Sequence, residues 1–226
     1  PVDPDDTGIW ENNADISWID PTKPMIAFTF DDGPIGTADT AASIRIQNAL
    51  AASGQHATFF YWGNRINSAN EAEIKRAYDM GFEIGNHTYS HPNLTTLTAD
   101  KIYENYMKCA DKLTAITGLS HFLVRPPYLA TNTTVKNTVR EPMINCSIDS
   151  KDWAGATAEE IINTISTQKT DGAIILMHET YDSTATAVET LVPQLVAEGW
   201  QIVSVSELFK AKGLELKNGQ VYSYAG

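Results

Sequence analysis

A chain of 226 residues with 42% apolar content can close one full-sized core. Its longest apolar runs, such as 173–177, are strand-sized and far short of the ~20 residues that a membrane-spanning helix needs. The formal net charge of -12 repels nucleic-acid phosphates and anionic lipid surfaces, so neither nucleic acid nor membrane is an expected partner.

The first 22 or so residues are rich in Asp, Asn and Pro, with Trp10 and Trp18 interspersed. They read as an arm or linker, 1–22, whose tryptophans pack onto a body that spans 23–226. The chain opens on Pro1 rather than Met, which suggests a processed or excised piece. From residue 25 an alternation begins. Short apolar runs at 25–30, 57–61, 82–85, 122–125, 143–148, 173–177 and 201–204 read as buried strands. Between them, 41–53, 71–80, 99–117, 158–168 and 185–198 carry a helical period, and 133–140 a weaker one. Gly54, Gly81, Gly118 and Gly199 stand where left-handed C-caps would close these helices. Strand–helix alternation implies parallel strands with right-handed crossovers. The expected fold is α/β: a distorted, incomplete (β/α) barrel with about seven parallel strands. Cys109 and Cys146 have no C-x-x-C spacing, which excludes a zinc ribbon or a thioredoxin-like motif. A core of this size needs no staple, so both are expected as buried, unpaired thiols. N-x-S/T sequons occur at Asn86, Asn93, Asn132 and Asn145, and they read as chance, since a glycan on Asn86 would crowd the site described next.

In parallel barrels, reactive groups gather at the carboxyl ends of strands. Here those ends carry Asp31 and Asp32, then His87 and His91, then Arg125 and Tyr128, then Asp149, Asp152 and Trp153, and finally His178. Asp31-Asp32-Gly33-Pro34 alone reads as a turn. Two adjacent carboxylates at the end of a buried strand nevertheless need a cation or an arginine to compensate them. His87 and His91 stand four residues apart, a spacing that in a helical turn brings both imidazoles onto one face. Arg125 alone would read as an ion-pair partner, and Trp153 and Leu176 as core.

Taken together, Thr29-Phe30-Asp31-Asp32-Gly33-Pro34, His87-Thr88-Tyr89-Ser90-His91, Arg125-Pro126-Pro127-Tyr128, Asp149-Ser150-Lys151-Asp152-Trp153 and Leu176-Met177-His178-Glu179 resemble the carbohydrate esterase family 4, or NodB-homology, polysaccharide deacetylases. The motifs occur in the family's order, and the resemblance runs from about residue 25 to 212. One departure is Glu179, where the family has Asp. The resemblance implies a metal-dependent hydrolase that removes acetyl groups from a polysaccharide or oligosaccharide. It makes Asp32, His87 and His91 the ligands of one divalent metal, zinc in first place with cobalt as a substitute. It makes Asp31 the general base, held ionised by Arg125, and His178 the general acid, oriented by Asp152. The backbone N–H of Tyr128 would face the oxyanion, and Tyr128, Trp153 and Leu176 would line the substrate pocket. The expected substrate is acetylxylan, with N-deacetylation of chitin oligosaccharides or peptidoglycan as the alternative. The expected setting is a secreted enzyme that carries other modules.

Overall fold

The computed structural model describes residues 8–226. At its centre runs β1 (Met25–Gly33). The sheet order is β3 (Glu83–Asn86), β2 (Thr58–Tyr61), β1, β6 (Ile174–His178), β5 (Ile148–Asp149), and β7 (Gln201–Val203) pairs with the first residues of β1. Each of these ladders is parallel, as crossover connections through helices require. The crossovers carry α1 (Ala42–Ala52), α2 (Glu71–Asp79), α3 (Ala99–Thr117), α4 (Thr133–Val139), α5 (Ala158–Gln168) and α6 (Asp182–Ala197), with α7 (Val205–Ala211) after β7. Beyond β3 the wall continues through Val124, which bridges Asn86 to Met143 on β4 (Met143–Ile144), and β4 pairs in parallel with β8 (Val221–Tyr222). This is the distorted, incomplete barrel expected from the alternation.

Successive side chains of β1 point to opposite faces and join different cores. Ile26, Phe28 and Phe30 pack with Ile46, Leu50, Ile74 and Val188 in the layer between sheet and helices. Met25 and Ala27 pack with Phe60, Leu123, Ile144, Ile174 and Val203 inside the barrel. Phe28 and Phe30 are fully buried, and burial of each stabilises the fold by about 1.5–3 kcal/mol. Thr29 and Asp31 continue the inward row, which places polar chemistry directly on top of the inner core.

Several elements differ from expectation. β1 does not end at Phe30 but runs through Gly33. Residues 122–125 form no strand: Arg125 is followed by Pro126 and Pro127, which lack the N–H groups that a ladder needs, and only Val124 bridges. The run 143–148 splits into β4 and β5, because Asn145 folds its side chain onto the Cys146 amide at 2.7 Å and turns its carbonyl to Arg125. Helix α7 and strand β8 were not anticipated. The four glycine C-caps stand as expected, with φ of 60° at Gly54, 85° at Gly81, 76° at Gly118 and 87° at Gly199. Cys109 and Cys146 are unpaired, but only Cys109 is buried and Cys146 is half-buried. Burial pushes the Cys109 thiol up to about 12.

The first seven residues of the expected arm lie outside the described residues. The rest of it packs on the body: Trp10, Ile16 and Trp18 lie against the inner cluster. The Trp10 amide donates to the Leu216 carbonyl at 2.9 Å, and the Trp18 indole to Glu207 at 3.0 Å. Among the described residues no helix is long and apolar enough to cross a membrane.

Candidate metal and catalytic site

Adjacent residues of a strand point to opposite faces, so Asp31 and Asp32 should not share a site. A bulge resolves this. Asp31 pairs with Phe60 and Gly33 with Tyr61, which leaves Asp32 as an extra residue with φ of 72°. Both carboxylates then reach the same imidazole: His87 Nε2 lies 3.7 Å from Asp31 Oδ2 and 3.4 Å from Asp32 Oδ1. His91 Nε2 lies 3.5 Å from the same Asp32 Oδ1.

The expected helical turn over 87–91 is absent. Thr88 and His91 take positive φ, 66° and 55°, so an irregular loop brings the two rings to 4.9 Å. The loop is tied by the Thr88 amide to Asn86 Oδ1 at 2.8 Å and by the Tyr89 amide to the Asn105 carbonyl at 3.0 Å. His87 Nδ1 lies 2.6 Å from the Arg125 carbonyl. A carbonyl only accepts, so Nδ1 donates to it and Nε2 is the nitrogen that faces Asp31 and Asp32. Burial, followed by the nearby His87 charge, lowers the pKa of His91 and favours its neutral form.

Asp32, His87 and His91 each offer one ligand atom, and these atoms lie within 4.8 Å of one another. Asp32 Oδ1 is buried without a hydrogen-bond partner. An orphaned carboxylate oxygen facing two imidazole nitrogens fits a divalent cation, and the N/N/O set suits a first-row metal.

Arg125 is fully buried within the barrel, its guanidinium 4.5 Å from the centre of the Phe60 ring. It donates through Nη1 to Asp31 Oδ1 at 2.8 Å and to Thr29 Oγ1 at 2.6 Å. It also donates to the carbonyls of Ile144 and Asn145, each at 3.1 Å. Burial alone would raise the pKa of Asp31, but the charge of Arg125, with those of His87 and His178, holds it below the usual carboxylate range. The β1–β6 register places Asp31 opposite His178. His178 Nδ1 lies 2.8 Å from Asp152 Oδ1, and Asp152 Oδ2 accepts from the His178 amide at 2.6 Å and from Thr184 Oγ1 at 2.7 Å. Burial lowers the pKa of His178, but the bond to Asp152 and the charges of Asp31, Asp152 and Asp32 outweigh it and leave the imidazole raised.

The remaining expected site residues sit at the rim and floor. Tyr128 is 69% exposed with φ of 60°, and its ring leans on His91 at 5.0 Å. Trp153 is 53% exposed; its amide donates to Asp152 Oδ1 at 2.8 Å and its indole to Asp149 at 3.2 Å. Leu176 is buried on the same face of β6 as His178, one pleat below it. Sequence reasoning gave no role to Thr29, Asn86 or Thr184. The period-2 step from Asp31 back to Thr29 is a signal that could have found the first. Glu179 is fully buried, neither carboxylate oxygen has a hydrogen-bond partner, and burial pushes its pKa well up. It occupies the space above Gly33, where an added Cβ would come within 1.4 Å of Glu179 Oε1.

Residues 19–147 match the family model described as polysaccharide deacetylase. The chain is 34% identical over 194 residues to the peptidoglycan-N-acetylmuramic acid deacetylase PdaC of Bacillus subtilis, covering 86% of this chain and 40% of that protein. It is 32% identical over 195 residues to a bifunctional xylanase/deacetylase of Pseudobutyrivibrio xylanivorans, covering 85% of this chain and 31% of that protein. The chain thus spans two fifths or less of the length of these relatives. Among solved structures, T48 deacetylase with substrate aligns with a TM-score of 0.82 at 30% identity, covering 91% of this chain and 100% of that one. A family 4 acetyl xylan esterase from Clostridium thermocellum, in complex with a cobalt ion, aligns with a TM-score of 0.81 at 29% identity, covering 88% of this chain and 98% of that one. With the motifs, the barrel and the family match in agreement, this chain belongs to the polysaccharide deacetylase family.

Proposed function

We propose that this chain hydrolyses acetyl groups from O-acetylated xylan, using a divalent cation, zinc or cobalt, held by Asp32, His87 and His91. The observation that carries the reaction is a base and an acid set opposite each other on one parallel ladder, beside a triad of available donor atoms. Arg125 binds Asp31 Oδ1 and leaves Oδ2 to take a proton from the attacking water. Asp152 holds the Nδ1 proton of His178, so that Nε2 can deliver a proton to the departing sugar oxygen. When bound, the cation polarises the acetyl carbonyl and lowers the pKa of the attacking water. The Tyr128 backbone N–H faces the developing oxyanion, and the Tyr128 ring, Trp153 and Leu176 wall the acetyl pocket.

The choice of xylan is supported by the likeness to a bifunctional xylanase/deacetylase and by the net charge of -12, which suits a neutral polymer. Residues 23–226 then form the catalytic module of a larger secreted enzyme, with 1–22 as its arm. The likeness to PdaC favours a second reading, N-deacetylation of peptidoglycan or chitin oligosaccharides. The test is acetate release from acetylated xylan by the wild type and by Asp31→Asn. The amide is nearly isosteric but accepts no proton, so turnover should fall about 10²–10⁴-fold while metal content is retained. Near-normal turnover in this variant would assign the base to another group.

A further inference from the structure

The turn after β2, residues 62–65, carries no metal ligand, yet it binds both ligand-bearing segments. On the Asp32 side, the Trp62 amide donates to the Gly33 carbonyl at 2.7 Å, and Arg65 Nη1 donates to the Asp32 carbonyl at 2.6 Å. On the histidine side, the Gly63 amide donates to the Thr88 carbonyl at 3.0 Å and the Asn64 amide to the Tyr89 carbonyl at 2.7 Å. The Trp62 ring packs on the His91 ring at 5.0 Å, and the Arg65 guanidinium lies 4.5 Å from the centre of the Trp62 ring. Arg65 is itself fixed, since its carbonyl accepts from Asn67 Nδ2 at 3.0 Å and from Asn70 Nδ2 at 2.8 Å.

Asp32, Thr88 and His91 all take positive φ. Non-glycine residues avoid this region, so such a backbone needs external bonds to hold it. We propose that Arg65 and Trp62 are positioning residues for the metal site: Arg65 fixes the Asp32 corner through its carbonyl, and the Arg65–Trp62 stack fixes the face of His91. The inference rests on the cation reading of Asp32, His87 and His91, and it goes beyond that reading by naming the residues that set the ligands' geometry.

The sign of the effect separates positioning from charge. A guanidinium near a cation site repels the cation, so if charge governed, removal of Arg65 would tighten metal binding. If positioning governs, removal weakens it. The experiment titrates the zinc-loaded full chain with a chelator and reads the chelator concentration that strips half of the metal. The wild type is compared with Arg65→Ala, Arg65→Lys, Trp62→Ala and Trp62→Phe, and thermal unfolding of each variant is recorded alongside. Arg65→Ala should hold zinc about 10–100-fold more weakly, the range for loss of an outer partner of a ligand. Arg65→Lys keeps the charge and a donor but not the planar stack, and should fall between Ala and wild type. Trp62→Ala should weaken binding, and Trp62→Phe should recover part of it. Zinc held by Arg65→Ala as tightly as by wild type, or more tightly, overturns the proposal. If the alanine variant does not fold, Arg65→Lys decides, and binding equal to wild type overturns it. A wild-type chain that holds no zinc overturns the cation reading and this inference together.

Discussion

Both oxygens of Asp152 are engaged at the end of β6, one by the His178 imidazole and the other by the His178 amide and the Thr184 hydroxyl. The carboxylate therefore sets the rotamer of His178 and raises its pKa against the downward pull of burial. An acid must be protonated to act, so activity falls as pH rises through that pKa. Replacement of Asp152 by Asn removes the charge and keeps the shape. Burial then acts with less opposition, and the alkaline limb of the kcat/KM profile should move to lower pH. A limb that stays in place would assign it to another group. The motifs made Asp152 and His178 legible in the sequence, since His178 ends the apolar run of β6 and Asp152 stands three residues past β5. The means by which neighbours come to share a site were hidden. Asp32 faces His87 only through a bulge, and His91 meets His87 only through a loop with two positive φ angles, neither of which follows from residue spacing. Arg65 and Thr184 belong to no motif and act through contacts that only the fold creates.

At the scale of elements, apolar runs located the central strands and the helices with strong amphipathic period, because both report burial directly. They failed where backbone pairing, rather than burial, decides. Residues 122–125 are buried and apolar enough for a strand, but the prolines that follow them and the side chain of Arg125 make this segment the inner support of the site instead. Short elements such as β8 were lost for lack of pattern. Helix α2 offers a test of how it is attached. Glu73 on α2 is fully buried, and its Oε2 accepts from the amides of Ile35 and Gly36 at 3.1 and 2.6 Å, which fastens the loop after β1. Burial raises its pKa to about 7. The folded chain thus keeps a proton that the unfolded chain, with Glu near 4.3, releases as pH rises. The sign follows from linkage: between about pH 4.5 and 7 the folded state binds more protons, so stability falls as pH rises across this window. Glu73→Gln keeps an acceptor for the two amides and abolishes the ionisation. In urea unfolding it should match wild type near pH 4 and exceed it by about 3 kcal/mol near pH 8. Equal stabilities at both pH values would show that Glu73 ionises freely in the folded chain.

At the scale of the whole molecule, the proposed catalytic groups stand beside two exposed aromatic residues, Tyr128 against His91 and Trp153 against Asp152. A substrate polymer must approach this exposed side, and the charge of the molecule acts on whatever approaches. With a net charge of -12, long-range repulsion should slow encounter with an anionic wall glycan and leave a neutral xylan unaffected. Salt separates the two cases. The screening length falls from ~30 Å at 0.01 M to ~10 Å at 0.1 M ionic strength. Across that range kcat/KM on acetylated xylan should stay flat, and on peptidoglycan fragments it should rise as repulsion is screened. Acetylated xylan should also give the higher value at both salts, and kcat/KM is the quantity to compare because discrimination between substrates is set by that ratio. Esters are intrinsically easier to cleave than amides, so a bare rate on xylan does not decide, whereas the salt response reports the approach of the polymer rather than the bond that breaks. A peptidoglycan value that falls with salt would reveal a basic path to the site despite the acidic whole. If it also equals or exceeds the xylan value, the substrate becomes the N-acetylated wall polymer, with the roles of Asp31 and His178 unchanged.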